Sequence, residues 1–161
     1  MDQPATTFAN HRGVVPLLWV FFGLACMEML AMHLFVALKW PGVAWPLTAV
    51  TALSIVWLVR WIRSWPRLPH ELRGGLLTLH MGSLRHFAVP VASIAGVRTA
   101  VSDAVLKASG TINLVPVAYP NRIVDLTAPL PGRRRVQHIA IRLDDPAAFD
   151  AAMAGLGIGV S

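Results

Sequence analysis

Hydrophobic positions are not spread evenly along this chain. From Val14 to Leu38 only Glu28 and His33 interrupt an apolar run, and from Val43 to Val59 there is no charge at all. About 20 such residues cross a bilayer. The pattern therefore predicts a short tail (1–13) and a membrane hairpin (14–65) whose two helices span 14–38 and 43–62. The link Lys39–Pro46 holds Pro41-Gly42, a turn signal. Past Pro66-Arg67-Leu68-Pro69 the period changes to short alternating stretches punctuated by Gly, Pro and Asp, which predicts strands in a separate domain, 70–161.

Within that domain, Leu77, Leu79 and Met81 alternate with Thr78 and His80, and Gly82-Ser83 suits a two-residue hairpin turn with Gly first. Strands are expected over 76–81, 84–89, 91–101, 112–118, 122–127 and 136–143. In the last, Ile139, Ile141 and Leu143 face inward, and His138 and Arg142 face out. The polar connection 102–110 predicts little structure. Asp144-Asp145-Pro146 reads as an acidic N-cap with Pro at the first helical position. Phe149, Ala152, Met153 and Leu156 then recur at helical spacing, and Gly155 and Gly157 end the helix. The fold class expected is a membrane α-helical hairpin plus a mostly-β domain. That domain would be a curled antiparallel sheet of about six or seven strands capped by a C-terminal helix.

Composition supports the membrane assignment. The chain is 55% hydrophobic and 14% charged, and all six Trp lie within the first 65 of its 161 residues. Tryptophan collects at membrane–water interfaces, so Trp57, Trp61 and Trp65 are expected as interfacial anchors. The hairpin tip carries Lys39, whereas Arg12 flanks the first helix and Arg60, Arg63, Arg67 and Arg73 flank the second. The positive-inside rule then places both termini in the cytoplasm, a multi-pass topology in the inner membrane. Gly23-Leu24-Ala25-Cys26 has the outline of a lipoprotein cleavage site. Gly23 stands where leucine is usual, however, and the apolar run continues well past Cys26, which argues against cleavage.

The segments Gly74–Val97 (GGLLTLHMGSLRHFAVPVASIAGV) and His138–Met153 (HIAIRLDDPAAFDAAM) carry a resemblance. A strand pair ending apolar-Pro-apolar, an "I..V" strand, and a late strand running through an acidic-Pro turn into a helix resemble the bacterial pleckstrin-homology-like (PH-like) domain. Small bacterial inner-membrane proteins with two helices and one such domain share the layout. The sequence departs from that pattern at Val91, where Trp often follows the Pro. The resemblance implies a membrane-tethered interaction module.

Candidate chemistry is sparse. No nucleophile elbow, Walker loop, HExxH or CxxC motif occurs, so no enzyme activity and no cofactor are expected. Near mid-bilayer an acid is costly and marks a site by default. Glu28 is therefore expected to be latched by Ser54 and Arg60, within the chain or between copies. At about 100° per residue, Cys26, Met29 and His33 fall within roughly 60° of one another, with Glu28 about 140° from His33. That stripe would suit copper(I), but ordinary membrane packing is the simpler reading and no metal site is expected; His80 with His138 is a further weak two-His alternative. Arg133, Arg134 and Arg135 are the densest charge, suited to anionic headgroups or a partner. Beyond residue 69 the aromatics are only Phe87, Tyr119 and Phe149, which argues against nucleic acid. The expected partners are the lipid bilayer, a membrane or cytoplasmic protein, and further copies of the chain. The leading function is partner binding or organisation of a membrane complex. The alternatives are a proton- or metal-handling subunit using Glu28 or Cys26/Met29/His33, and lipid sensing through Arg133–Arg135.

Overall fold

The computed structural model describes residues 5–130 and 136–161. The chain starts with a short strand, β1 (Thr6–Phe8), and enters the hairpin α1 (Val15–Lys39) and α2 (Pro41–Ser64). Both helices leave most of their large apolar side chains uncovered, and both are long and apolar enough to cross a membrane.

The turn between them is tighter than the expected Lys39–Pro46 link. It is Trp40 alone. Proline disfavours helical backbone in the residue before it; Trp40 (φ −141°, ψ 75°) leaves the helical region and ends α1, and Pro41 opens α2 at a position where a missing N–H costs nothing. Gly42 and Pro46 both lie inside α2.

A short 3₁₀ turn, Trp65–Arg67, leads into β2 (His70–Arg73), β3 (Leu76–Met81) and β4 (Arg85–Pro90). With β1 they form an antiparallel sheet in sequence order. Met81 pairs with Arg85, so the β3–β4 loop has three residues, Gly82 to Leu84, rather than two. A second sheet holds β5 (Ile94–Arg98), β7 (Arg122–Leu126), β8 (His138–Ile141) and β6 (Thr111–Asn113), in that order, with β6 and β8 parallel. A short helix, α3 (Asp103–Leu106), lies in the connection expected to be irregular.

The domain is thus two four-stranded sheets rather than one curled sheet of six or seven strands. Two causes are visible. The first sheet borrows a strand from ahead of the hairpin. The 99–110 crossover returns β6 parallel to β8. Leu77, Leu79, Phe87 and Val89 of the first sheet meet Val97, Val124, Ile139 and Ile141 of the second in one core. The terminal helix α4 (Pro146–Gly155) adds Phe149 and Met153. Its start is as expected: the Asp145 side chain accepts from Ala148 N–H at 3.1 Å, with Pro146 next. Arg122 of β7 clasps Asp150 of α4 with two hydrogen bonds, which hold its pKa above the usual value.

Candidate functional site at the junction of hairpin and domain

Trp57, Trp61 and Trp65 follow one another every four residues along α2, but they do not share one environment. Trp57 is 56% exposed, whereas Trp61 and Trp65 are 9% and 2% exposed. The latter two pack with Val14, Leu18, Ile62 and Val115 in a second apolar cluster, and Met81 touches both this cluster and the main core. Only Trp57 has the exposure of an interfacial anchor. Trp61 and Trp65 instead seal the base of the hairpin onto the domain. Their indole Nε1 donors are buried and unpartnered among the described residues.

Polar contacts fix the joint. Ser64 Oγ donates to Trp61 O at 2.6 Å and accepts from Ser83 N–H at 2.8 Å. Gly82 lies directly against the helix end: a Cβ there would stand 2.8 Å from both Ser64 Oγ and Trp65 Nε1. On the other flank, Asp144 does not cap α4. Its carboxylate accepts from the backbone N–H of His11 (3.1 Å) and Arg12 (3.0 Å), and its own N–H donates to Ala9 O at 2.8 Å. It therefore holds the entry to α1. Cleavage before Cys26 would remove β1, Asn10, Val14 and Leu18 from the places they fill.

Asn10 and His70, each 2% exposed, are the buried polar residues among those described. The His80 N–H donates to His70 Nδ1 at 3.0 Å, and Asn10 Nδ2 donates to His80 O at 3.3 Å. Burial first, and His80 second, push the His70 pKa down to about 3, so this imidazole is neutral. Nothing in the hydrophobic pattern marks His70 or Asn10 as interior residues.

The membrane-hairpin candidates separate into two sides. Cys26, Met29 and His33 face α2 and line an apolar cavity of about 200 Å³ with Leu30, Thr48, Thr51 and Ile55. The interhelical bond joins His33 Nε2 to Thr48 Oγ1 at 2.7 Å. That hydroxyl already donates to Ala44 O, so the imidazole is the donor, and His33 Nδ1 is left without a partner among the described residues. Glu28 is on the opposite side, exposed, with no hydrogen bond or ion pair among the described residues. Ser54 Oγ donates to Val50 O of its own helix, and Arg60 sits at the hairpin base. The expected Glu28–Ser54–Arg60 latch is not made within one chain. The reason is rotational: the α1 face packed on α2 contains Phe22, Cys26, Met29 and His33, and Glu28 points about 140° away from it.

In the domain, His80 lies beside His86 with ring centroids 6.1 Å apart, while His138 is in the other sheet. They do not converge, and the described residues hold no cluster of three or more His, Cys, Asp or Glu able to bind a metal. His138 Nδ1 instead donates to Asp125 Oδ1 at 2.6 Å, and Arg98 donates to the same oxygen at 2.6 Å. The nearby Thr111 hydroxyl is engaged elsewhere, donating to Val105 O. Arg133, Arg134 and Arg135 lie outside the described residues.

The remaining feature of the junction is a cavity of about 590 Å³ at its outer rim, lined by Arg60, Arg63, Ser64, Arg67, Leu68 and Ser83. Comparison with known proteins adds no relative: no family model, no curated protein and no solved structure matches this chain.

Proposed function

We propose that this chain is a non-enzymatic inner-membrane protein that crosses the bilayer twice and presents a cytoplasmic PH-like domain to a protein partner, organising a membrane complex. One observation carries the reading. The domain does not hang from the hairpin on a flexible tether but is locked to it by β1, by Asp144, by Ser64–Ser83 and by Trp61 and Trp65. A locked platform held at fixed height above a membrane suits docking and scaffolding. Two sheets on one core with a terminal capping helix support the PH-like reading. The parallel β6–β8 pair and the borrowed strand β1 are departures from it. Positive-inside flanks support the orientation.

Affinity recovery of the full chain from its native membrane in mild detergent tests this reading. A stoichiometric protein partner is expected, lost when exposed domain residues are changed while membrane insertion persists. Recovery of the chain alone, as a monomer, would sink it.

A second reading rests on Glu28, an acid left uncovered on an apolar helix face. Further copies of the chain would cover it, either as a latch or in a proton- or metal-handling assembly. Glu28→Gln separates the two. A latch tolerates the isosteric amide and still assembles. A proton carrier still assembles but loses proton flux in proteoliposomes. Cys26→Ser with a copper(I) retention assay tests the seam in the same way.

A further inference from the structure

We infer that the cavity at the base of α2 binds the phosphate of an anionic phospholipid headgroup. Arg60 and Arg63 lie one turn apart on α2, Arg67 closes the 3₁₀ turn that follows, and all three line the one cavity with Ser64, Leu68 and Ser83. Among the described residues no acid lines it, and none of the three guanidinium groups has a hydrogen-bond or ion-pair partner. Three like charges around one space make it electropositive, which favours an anion there. The planar guanidinium fork matches phosphate oxygens with paired hydrogen bonds.

The turn of the first sheet completes the rim. The Ser64 hydroxyl has no proton left for a phosphate: it donates to Trp61 O, while its oxygen accepts the Ser83 N–H. That bond holds Ser83 at the cavity, where its own hydroxyl has no partner among the described residues and can donate to a phosphate oxygen. The site therefore needs both the hairpin and the domain in their observed arrangement.

Position selects a lipid over a soluble phosphate. Arg60 directly follows the uncharged run that ends at Val59. The exposed apolar side chains of Leu53, Val56 and Trp57 continue from the cavity toward the hairpin tip. A ligand with its phosphate among the arginines and its hydrocarbon along this surface satisfies both halves. A zwitterionic headgroup brings a cation that the arginines repel, so net-anionic lipids are preferred. The site does not depend on which protein partner the domain takes.

Native mass spectrometry of the full chain, equilibrated in micelles with equal phosphatidylglycerol and phosphatidylcholine, tests the inference. One phosphatidylglycerol is expected to be retained, preferred by roughly tenfold or more, because the guanidinium charges favour a net-anionic headgroup. Arg60→Gln/Arg63→Gln should abolish the preference, and the charge-matched control Arg85→Gln/Lys107→Gln should keep it. The assignment fails if the wild-type chain shows no preference, which needs no variant to fold, or if both variants lose it equally. Millimolar inorganic phosphate should not displace the lipid. If it does, and binds alone, the cavity is a site for soluble phosphate and the lipid assignment is overturned.

Discussion

At Gly82 the backbone sits at φ +51° and a Cβ would fall 2.8 Å from Ser64 Oγ and from Trp65 Nε1. Both constraints act at once, since left-handed backbone and a blocked site oppose any side chain. Gly74 has a similar φ (+56°) with open space around it, so it isolates the backbone contribution. Gly82→Ala is expected to cost about 1–3 kcal/mol more than Gly74→Ala, read as the difference in unfolding midpoints in detergent. His70 supplies a pH dependence. Its pKa of about 3 in the fold lies below the ordinary 6.5, so between those values the unfolded chain binds a proton that the folded chain rejects. Stability attributable to His70 is therefore full above pH 6.5 and falls as pH drops toward 3, by about 1.4 kcal/mol per unit once well below 6.5. His70→Gln should be less stable than wild type at pH 7, and the gap should narrow by about 2 kcal/mol at pH 5. A gap that stays constant would show that His70 titrates normally.

Asp144 and Asp145 are adjacent, yet they serve different elements. Asp145 caps α4, and Asp144 reaches back over a sequence separation of 132 residues to the N–H groups before α1. Asp144→Ala should cost about 1–2 kcal/mol, in the range of a lost cap, and should expose Arg12 to trypsin. Asp145→Ala should cost a comparable amount through α4 without speeding cleavage at Arg12. Sequence pattern alone identifies the acidic-Pro start of α4, because capping is a local matter, but it cannot tell which acid caps. The same limit explains the strands. β3 and β4 were legible from alternation across Leu77, Leu79, Phe87 and Val89. The stretch 112–118 also reads as a strand, yet its ladder stops at Asn113: that side chain accepts the Val115 N–H at 2.9 Å, and Pro116 has no N–H to give. Leu114 and Val115 are buried all the same, one in each apolar cluster, so their hydrophobicity reflects packing rather than strand pairing. Thr6–Phe8 is too short to alternate, and only its partner β2 reveals it.

For the molecule as a whole, β1 matters more than its length suggests. It pairs residue by residue with β2, Thr6 opposite Leu72 and Phe8 opposite His70, on either side of a hairpin that leaves and returns. Phe8 also sits edge-on to Phe149 at 5.1 Å, so the segment before α1 is part of the core of the domain that follows α2. The ends of the helices nearest the domain must therefore lie at the same membrane face, whichever face that is. The hydrophobic runs predicted the hairpin, and the arginines predicted its orientation. The covalent tail 1–13 looked like a separate appendage because neither signal reports a tertiary pairing across 60 or more residues. The candidate site was partly legible in the same sense: Arg60, Arg63 and Arg67 were visible as flanking charge, but only the Ser64–Ser83 contact turns them into a cavity. Accessibility in intact cells tests the joint arrangement. In a Cys26→Ser background, Gly42→Cys at the hairpin tip should react with an impermeant thiol reagent added outside. Thr7→Cys and Ser161→Cys should both stay protected until the cells are opened. If Thr7→Cys and Ser161→Cys react from opposite sides, β1 cannot pair with β2 and the fold is wrong. If both react from outside while Gly42→Cys is protected, the fold stands and the orientation inferred from the arginines is reversed, which would place the lipid site in the outer leaflet.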